Sequence, residues 1–477
     1  MKYLKLFENH AGYEAYKNSQ NYLTPNVSYC VDLSEVHYNK YVRRDYSKEY
    51  LTIEAIENGT ISFNIWKSMG TEYITSISYS TDNGETWTTT NNTDNKSEHL
   101  TITVNVNEGD KVLWKGDAQQ MGYYDTEDIE DSVGSFFSST AEFNVYGNIM
   151  SLLYGDNFYG KTVLEYNSQF SYLFSNFDGE TVCNVVNAAN LSLPANTLAI
   201  NCYSSMFGGC TSLTTAPELP ATTLVEGCYI NMFYGCTSLT TAPELPATTL
   251  AEYCYSNMFG GCTSLTTAPE LPATTLAEYC YNQMFNGCTS LTTAPELPAT
   301  TLVDNCYFYM FNGCTSLTTA PELPATTLVG RCYSNMFNGC TSLTTAPELP
   351  ATTLADYCYF NMFNGCTSLT AAPELPATTL VEGCYSNMFN GCTSLTAAPE
   401  LPATTLVNYC YNNMFQGCSN LNYIKAMFTT TPSPSYTNYW VSGVSSTGTF
   451  VKNRTATWTT TGVHGVPSGW TVETAIE

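Results

Sequence analysis

Apolar and polar positions alternate along Leu51-Thr-Ile-Glu-Ala, Ile61-Ser-Phe-Asn-Ile, Ile74-Thr-Ser-Ile-Ser-Tyr and Leu100-Thr-Ile-Thr-Val, with Gly, Asn and Asp turns between them. A period of two puts alternate side chains on one face, so residues 49–160 are predicted to form a small β-sandwich-like domain. From near Leu193 to about Leu421 the pattern changes to a repeat every 26 residues. One unit runs Leu239-Thr-Thr-Ala-Pro-Glu-Leu-Pro-Ala-Thr-Thr-Leu250-Ala-Glu-Tyr-Cys254-Tyr-Ser-Asn-Met258-Phe259-Gly-Gly261-Cys262, and the next begins at Leu265. Residues 161–421 are therefore read as a repeat solenoid, residues 422–477 as its C-terminal cap and residues 1–48 as an N-terminal docking segment. Within that segment, residues 1–20 read as a short helix, and Pro25-Asn-Val-Ser-Tyr and Glu35-Val-His-Tyr as short strands.

The unit itself predicts a strand and a helix. Ser-Leu-Thr-Thr-Ala before Pro243 is a short strand, which Pro243 and Pro246 end because they lack an amide donor. Thr249-Leu-Ala-Glu252 has the spacing of a capping box, which opens a helix. The spacing recurs at Thr223/Glu226, Thr275/Glu278 and Thr379/Glu382, with acids also at Asp304 and Asp356. Leu250, Cys254 and Met258 then fall on one helical stripe, and Gly261 stands where a left-handed cap would end it. No unit can bury such a stripe alone. Stacked neighbours bury Leu, Cys, Met and Phe together. The expected fold class is an α/β solenoid behind an all-β module.

The run Met232 to Thr240 and its copies, Met-Phe-x-Gly-Cys-Thr-Ser-Leu-Thr, resembles the BspA-like leucine-rich repeats of Bacteroidales surface proteins. The resemblance covers roughly half the chain, at a period inside the leucine-rich-repeat range. Tyr146 to Gly155 and Trp440 to Lys452 also look like flanks of such proteins, which occur in Bacteroidales and in their phages. The resemblance implies adhesion or recognition at a surface. Two hosts are expected for that role. One is a phage virion, docked to other virion proteins through residues 1–48 and contacting a polysaccharide or protein of a bacterial cell. The other is a bacterial cell-surface adhesin, and a purely structural virion decoration is a third possibility.

Composition narrows these expectations. Sixteen basic residues against 42 acidic ones leave a net charge of −26, which repels nucleic acid and anionic membranes. No run of about 18 apolar residues exists to span a bilayer, and Met1 to Gln20 lacks the apolar core of a secretory signal. A virion or extracellular surface is the expected location. Eighteen of the 20 cysteines form two ladders, Cys202 to Cys410 and Cys210 to Cys418. Nine rungs are odd, so neither ladder pairs fully within itself, and the thiols read as small buried hydrophobes rather than disulfides or zinc ligands.

Catalytic chemistry is sparse. The four histidines, His10, His37, His99 and His464, are scattered, and no phosphate loop or nucleophile motif accompanies them. Ser80-Thr-Asp82-Asn-Gly84-Glu-Thr86-Trp87 matches the Asp-box of sialidase propellers. A propeller needs at least four blades, and this chain has one copy, so the motif reads as a hairpin device. The acidic run Asp125 to Asp131 lacks EF-hand spacing and reads as a solvated loop. No enzyme activity and no cofactor are expected.

Two surfaces are candidates for ligand contact. Glu218, Glu244, Glu270, Glu296, Glu322, Glu348, Glu374 and Glu400 recur at one position, a row at about 5 Å spacing in which neighbours repel by roughly 0.8 kcal/mol in water. The row is either well solvated or a weak Ca2+ site. The second candidate is the set of residues that differ between otherwise near-identical units. Phe308, Tyr309 and Phe360, with Ile230 and Tyr234, are its recognition anchors if exposed; neutral drift is the alternative.

Overall fold

The computed structural model describes residues 3–7, 27–31, 44–66, 76–91, 99–117, 121–123, 133–176 and 182–476. The chain divides into two units, Met1–Asp45 and Tyr46–Glu477. In the first, β1 (Tyr3–Phe7) pairs in parallel with β2 (Val27–Val31). Residues 3–7 are therefore a strand and not part of a helix, in keeping with the alternation of Leu4-Lys5-Leu6. Glu35-Val-His-Tyr and the acidic run Asp125 to Asp131 lie outside the described residues.

The second unit begins as two facing sheets. Its strands are β3 (Leu51–Ala55), β4 (Gly59–Trp66), β5 (Ser76–Ser80), β6 (Thr88–Asn91), β7 (His99–Val106), β8 (Lys111–Gly116), β9 (Gly122–Tyr123), β10 (Val133–Gly134), β11 (Phe136–Ser139), β12 (Phe143–Asn148) and β13 (Val185–Ser192). One sheet has the order β13-β12-β3-β8-β5-β6 and another β11-β4-β7. The alternation seen in the sequence sends Leu51, Ile53, Ile61, Phe63, Val112 and Trp114 inward, all fully buried. The Trp114 ring lies 5.8 Å from Phe63 and 5.3 Å from Phe137, so the two sheets close over one core.

That core continues into the repeats without a break. Phe137 stacks on Phe174, and Phe174 on Phe207, each at 5.3 Å. From Phe207 to Phe415 one phenylalanine per repeat extends the file at 5.6–5.8 Å. A parallel file of tyrosines runs beside it from Tyr203 to Tyr411 at 5.7–6.0 Å. Cys, Tyr, Met, Phe and Leu of every repeat are buried. The strand predicted before each proline shrinks to isolated parallel bridges, Thr215 to Thr241 to Thr267 and onward to Ala371, because the proline two residues later cannot extend the ladder.

The predicted helix of each repeat does not form, which corrects the α/β expectation. Between Tyr253 and Cys262 the amides alternate between two partners. The N–H groups of Tyr253, Tyr255, Asn257, Phe259 and Gly261 donate to carbonyls of the next repeat, at Glu278, Cys280, Asn282, Met284 and Asn286. Those of Cys254, Ser256, Met258, Gly260 and Cys262 close turns onto the carbonyl three residues back. Every amide is satisfied, half of them by the neighbouring repeat. The geometry requires a left-handed residue every fourth position: Tyr253 at φ 53°, Asn257 at 53° and Gly261 at 74°. A left-handed residue directly after Glu252 stops any helix that the capping-box spacing would open. The spacing of four between Leu250, Cys254 and Met258 is the period of these tandem turns as much as of a helix.

The stack ends by continuing its own pattern. Tyr411, Asn413, Phe415 and Gly417 donate to Tyr436, Asn438, Trp440 and Ser442, so residues 434–443 form one further coil. A parallel sheet of β14 (Tyr423–Ala426), β15 (Thr449–Lys452) and β16 (Thr471–Thr474) lies alongside, and Trp458 stacks on Phe428 at 5.3 Å. Among the described residues, no helix is long and apolar enough to cross a membrane.

Candidate functional site

Each repeat carries three left-handed columns four residues apart, and their side chains grade from none to large. The innermost is glycine from Gly209 to Gly443. At Gly313 a Cβ would lie 3.7 Å from the Cα of Gly287, so there is room for it; the φ of 72° is what selects glycine. The middle column is mostly asparagine, and its amides reach between repeats: Asn257 Nδ2 donates to Asn231 Oδ1, and Asn361 Nδ2 to Asn335 Oδ1, each at 2.9 Å. The outer column holds Asn201, Gly227, Tyr253, Tyr279, Asn305, Arg331, Tyr357, Gly383 and Tyr409, all with φ between 52° and 60°.

This outer column is not among the surfaces expected from the sequence. The signal was present: Asn and Gly, the residues that tolerate left-handed backbone, share one position with Tyr and Arg. Tyr253 and Tyr279 stack face to face, 4.7 Å apart at 5°. The Arg331 guanidinium lies 5.8 Å from the centre of the Tyr357 ring, and the Tyr357 hydroxyl donates to Glu382 at 2.8 Å. Tyr409 is 47% exposed. Directly before this column stand Glu226, Glu252, Glu278, Asp304, Asp356 and Glu382, all exposed.

The anchors named from the sequence do not gather into one patch. Phe308, Tyr309, Phe360 and Ile230 are half-buried, and only Tyr234 is exposed. Phe308 packs edge-on against Tyr309 at 4.4 Å, and Phe360 against Tyr357 at 6.0 Å. A whole repeat separates the two phenylalanines, and the residue between them in the column, Ser334, is buried with its hydroxyl donating to the Phe360 carbonyl. The carboxylates from Glu218 to Glu400 are exposed in every repeat. Glu400 pairs with Lys425 at 2.8 Å. Among the described residues, no group of three His, Cys, Asp or Glu side chains is placed to hold a metal ion.

The cysteines of both ladders are buried and free. In the second ladder each S–H donates to the phenylalanine carbonyl of the preceding repeat, as Cys314 does to Phe285 at 3.1 Å. Burial holds these thiols well above their ordinary range, which keeps them protonated and unreactive. The segment Ser80 to Trp87 joins β5 to β6. Asp82 accepts from the Thr86 hydroxyl and amide and from Ser80, and these bonds draw its carboxyl down to about 2. Trp87 lies beneath Lys115, whose ammonium is 4.1 Å from the ring centre and 2.7 Å from Asp156. This cluster ties the hairpin down through groups that already have partners.

Comparison with known proteins agrees with the repeat. The BspA type leucine rich repeat region matches in six copies, over residues 175–318, 252–362 and 333–440, which together span more than half the chain. No curated protein matches. Among solved structures, the crystal structure of the TLR13-ssRNA13 complex aligns at 14% identity over 60% of this chain and 38% of that one, with a TM-score of 0.25. This chain thus covers less than two-fifths of that protein, and a likeness so low carries no weight for shape or ligand.

Proposed function

This chain belongs to the BspA-type leucine-rich-repeat family, and from that premise we propose that it is a non-enzymatic recognition protein that presents the side of its repeat stack to a surface. The observation that carries the reading is the split between fixed and variable columns. The Cys, Tyr, Met, Phe and Leu columns are buried and invariant through nine repeats, while the outer left-handed column varies from Gly to Tyr and Arg. Catalysis requires unlike groups converging on one point. A stack instead offers similar contacts in line, and several weak contacts on one rigid body combine through effective concentration.

The partner in this reading is a polysaccharide or protein of a bacterial cell. The free thiols of both ladders favour a chain that matures in a reducing compartment, as a phage virion protein does. Family membership favours the second setting, a bacterial cell-surface adhesin. The experiment is binding of the labelled full chain to a panel of intact Bacteroidales cells and to immobilised host matrix proteins. Saturable binding to particular strains supports recognition of the bacterial surface from a virion. Binding to matrix proteins alone supports the adhesin, and binding to neither overturns the recognition role.

A further inference from the structure

We propose that Tyr253 and Tyr279, with Glu226, Glu252 and Glu278 beside them, form a docking site for an extended lysine- or arginine-rich segment of a partner protein. The proposal rests on the recognition role above and narrows it to a place and a chemistry. Folding does not account for these rings. Gly227 and Asn305 hold the same left-handed position in the flanking repeats at φ 59° and 57°, and both tolerate it better than tyrosine does. Yet two bulky residues stand there in succession, half-buried and stacked on each other at 4.7 Å.

The surrounding charge is of one sign. Burial raises the Tyr253 phenol above its ordinary value, and the charges of Tyr279, Glu252, Glu278 and Glu226 raise it further, so all three carboxylates act at this ring. No cation of the stack is at hand to answer them. Between Lys161 and Lys425 the only basic residue is Arg331. That residue shows what the column accepts. Its guanidinium lies against the Tyr357 ring, and Glu382 takes the Tyr357 hydroxyl, so a cation, a ring and a carboxylate meet within the chain itself. Tyr253 and Tyr279 repeat the ring and the carboxylates without the cation. A basic segment supplies it through cation–π contact and charge, and the net charge of −26 steers such a segment inward. A neutral glycan can donate hydroxyls to the carboxylates but leaves their charge unanswered, and an anionic one is repelled.

The test uses the full chain and two fluorescent probes, a deca-arginine peptide and a neutral dextran of similar mass. Tyr253→Asn with Tyr279→Asn is the central variant, because asparagine already serves this column at Asn201 and Asn305 and leaves the fold intact. Peptide binding should weaken about tenfold in the double variant with no loss in unfolding midpoint. Tyr253→Phe with Tyr279→Phe, which keeps both ring faces, should retain it. Glu252→Gln with Glu278→Gln should weaken binding and reduce its dependence on salt. Unchanged peptide binding in the asparagine variant overturns the site, since overall charge alone then holds the peptide. Dextran binding that the same variant abolishes also overturns it, in favour of a sugar platform. Cell binding is measured alongside. If it survives the asparagine variant, the site falls and the recognition role stands; if the unaltered chain binds no surface, the role falls while the peptide result still judges the site.

Discussion

Replacing Gly313 by alanine should weaken the stack by about 1 kcal/mol, while the same replacement at Gly330 should leave it unchanged or slightly firmer. The two glycines sit in the turn regions of successive repeats, so the contrast isolates the backbone. Gly313 has φ 72°, and an added Cβ would meet nothing closer than 3.7 Å. Its cost is therefore conformational: about 1–2 kcal/mol for an L-residue in the left-handed region, less about 0.4–1 kcal/mol from a stiffer unfolded chain. Gly330 is not left-handed. Its Cβ would lie 3.2 Å from Asp304 Oδ1, an exposed carboxylate that accepts the Gly330 amide at 2.8 Å and need shift only by a few tenths of an ångström, and Glu or Asp fills this column in most other repeats. The assay is urea unfolding followed by circular dichroism, with the slope checked for constancy. Amide exchange at residues 311–314 reads the same change locally, since a repeat array need not unfold in one step. A Gly313→Ala midpoint equal to that of Gly330→Ala would refute the left-handed backbone at Gly313.

Other outcomes follow from the same geometry. Phe311→Ala removes a fully buried ring from the aromatic file and should cost about 3–5 kcal/mol, against a far smaller loss for half-buried Phe308→Ala; equal losses in a denaturant melt would place Phe308 in the core. Burial pushes the Cys280, Cys288 and Cys332 thiols up to about 12 from an ordinary 9.0. The unfolded chain therefore gives up these protons first, so stability should hold below about pH 9 and fall as pH rises toward 12, and a midpoint that stays flat up to about pH 11 would contradict the burial of the ladders. Asp82, drawn down to about 2 from 3.8, acts in the opposite sense: its stabilisation is present above about pH 4 and is lost as pH falls through 2. Trp87 fluorescence should report that loss in the unaltered chain and not in Asp82→Asn. Glu296→Gln lies between Glu270 and Glu322 in the exposed row, so it should raise the melting temperature in low salt, and the gain should vanish at high salt; a gain that persists in high salt would have another cause.

Much of this architecture could be read in the chain. The strands at Leu51, Ile61 and Leu100 were legible because one face of each is buried, so alternation survives in the residues. The period of 26 and the buried Leu, Cys, Met and Phe were legible because identical units must present identical faces to each other. The helix expectation fails because a spacing of four is shared by helical turns and by tandem turns with a left-handed residue every fourth position. Residue type could have separated them: Gly261 recurs as glycine throughout, Asn257 recurs mostly as asparagine, and the column of Tyr253 admits both. Three such columns four residues apart do not suit a helix. The Tyr255 file is not legible in the chain because tyrosine is often at a surface, whereas here each ring is covered by its copies on either side. Phe308 and Phe360 differ from the residues at the same position of neighbouring repeats, and difference alone does not make a side chain point outward.

The three left-handed columns separate what the fold demands from what it permits. Where φ reaches 72–73°, as at Gly313 and Gly287, only glycine appears. Where side chains bond between coils, as at Asn231 and Asn257, asparagine is kept and its left-handed cost is offset by an amide contact. In the outer column neither constraint recurs; a Cβ at Gly227 or Gly383 would collide with the Asn201 or Tyr357 side chain of the preceding repeat, and elsewhere glycine or asparagine would be the least costly occupant. Tyrosine at 253, 279, 357 and 409 and arginine at 331 therefore carry a conformational cost that the stack does not recover from its own core. At Tyr357 a hydroxyl bond and a cation recover part of it within the chain. At Tyr253 and Tyr279 stacking recovers part, and the rest is left for whatever the outer face meets.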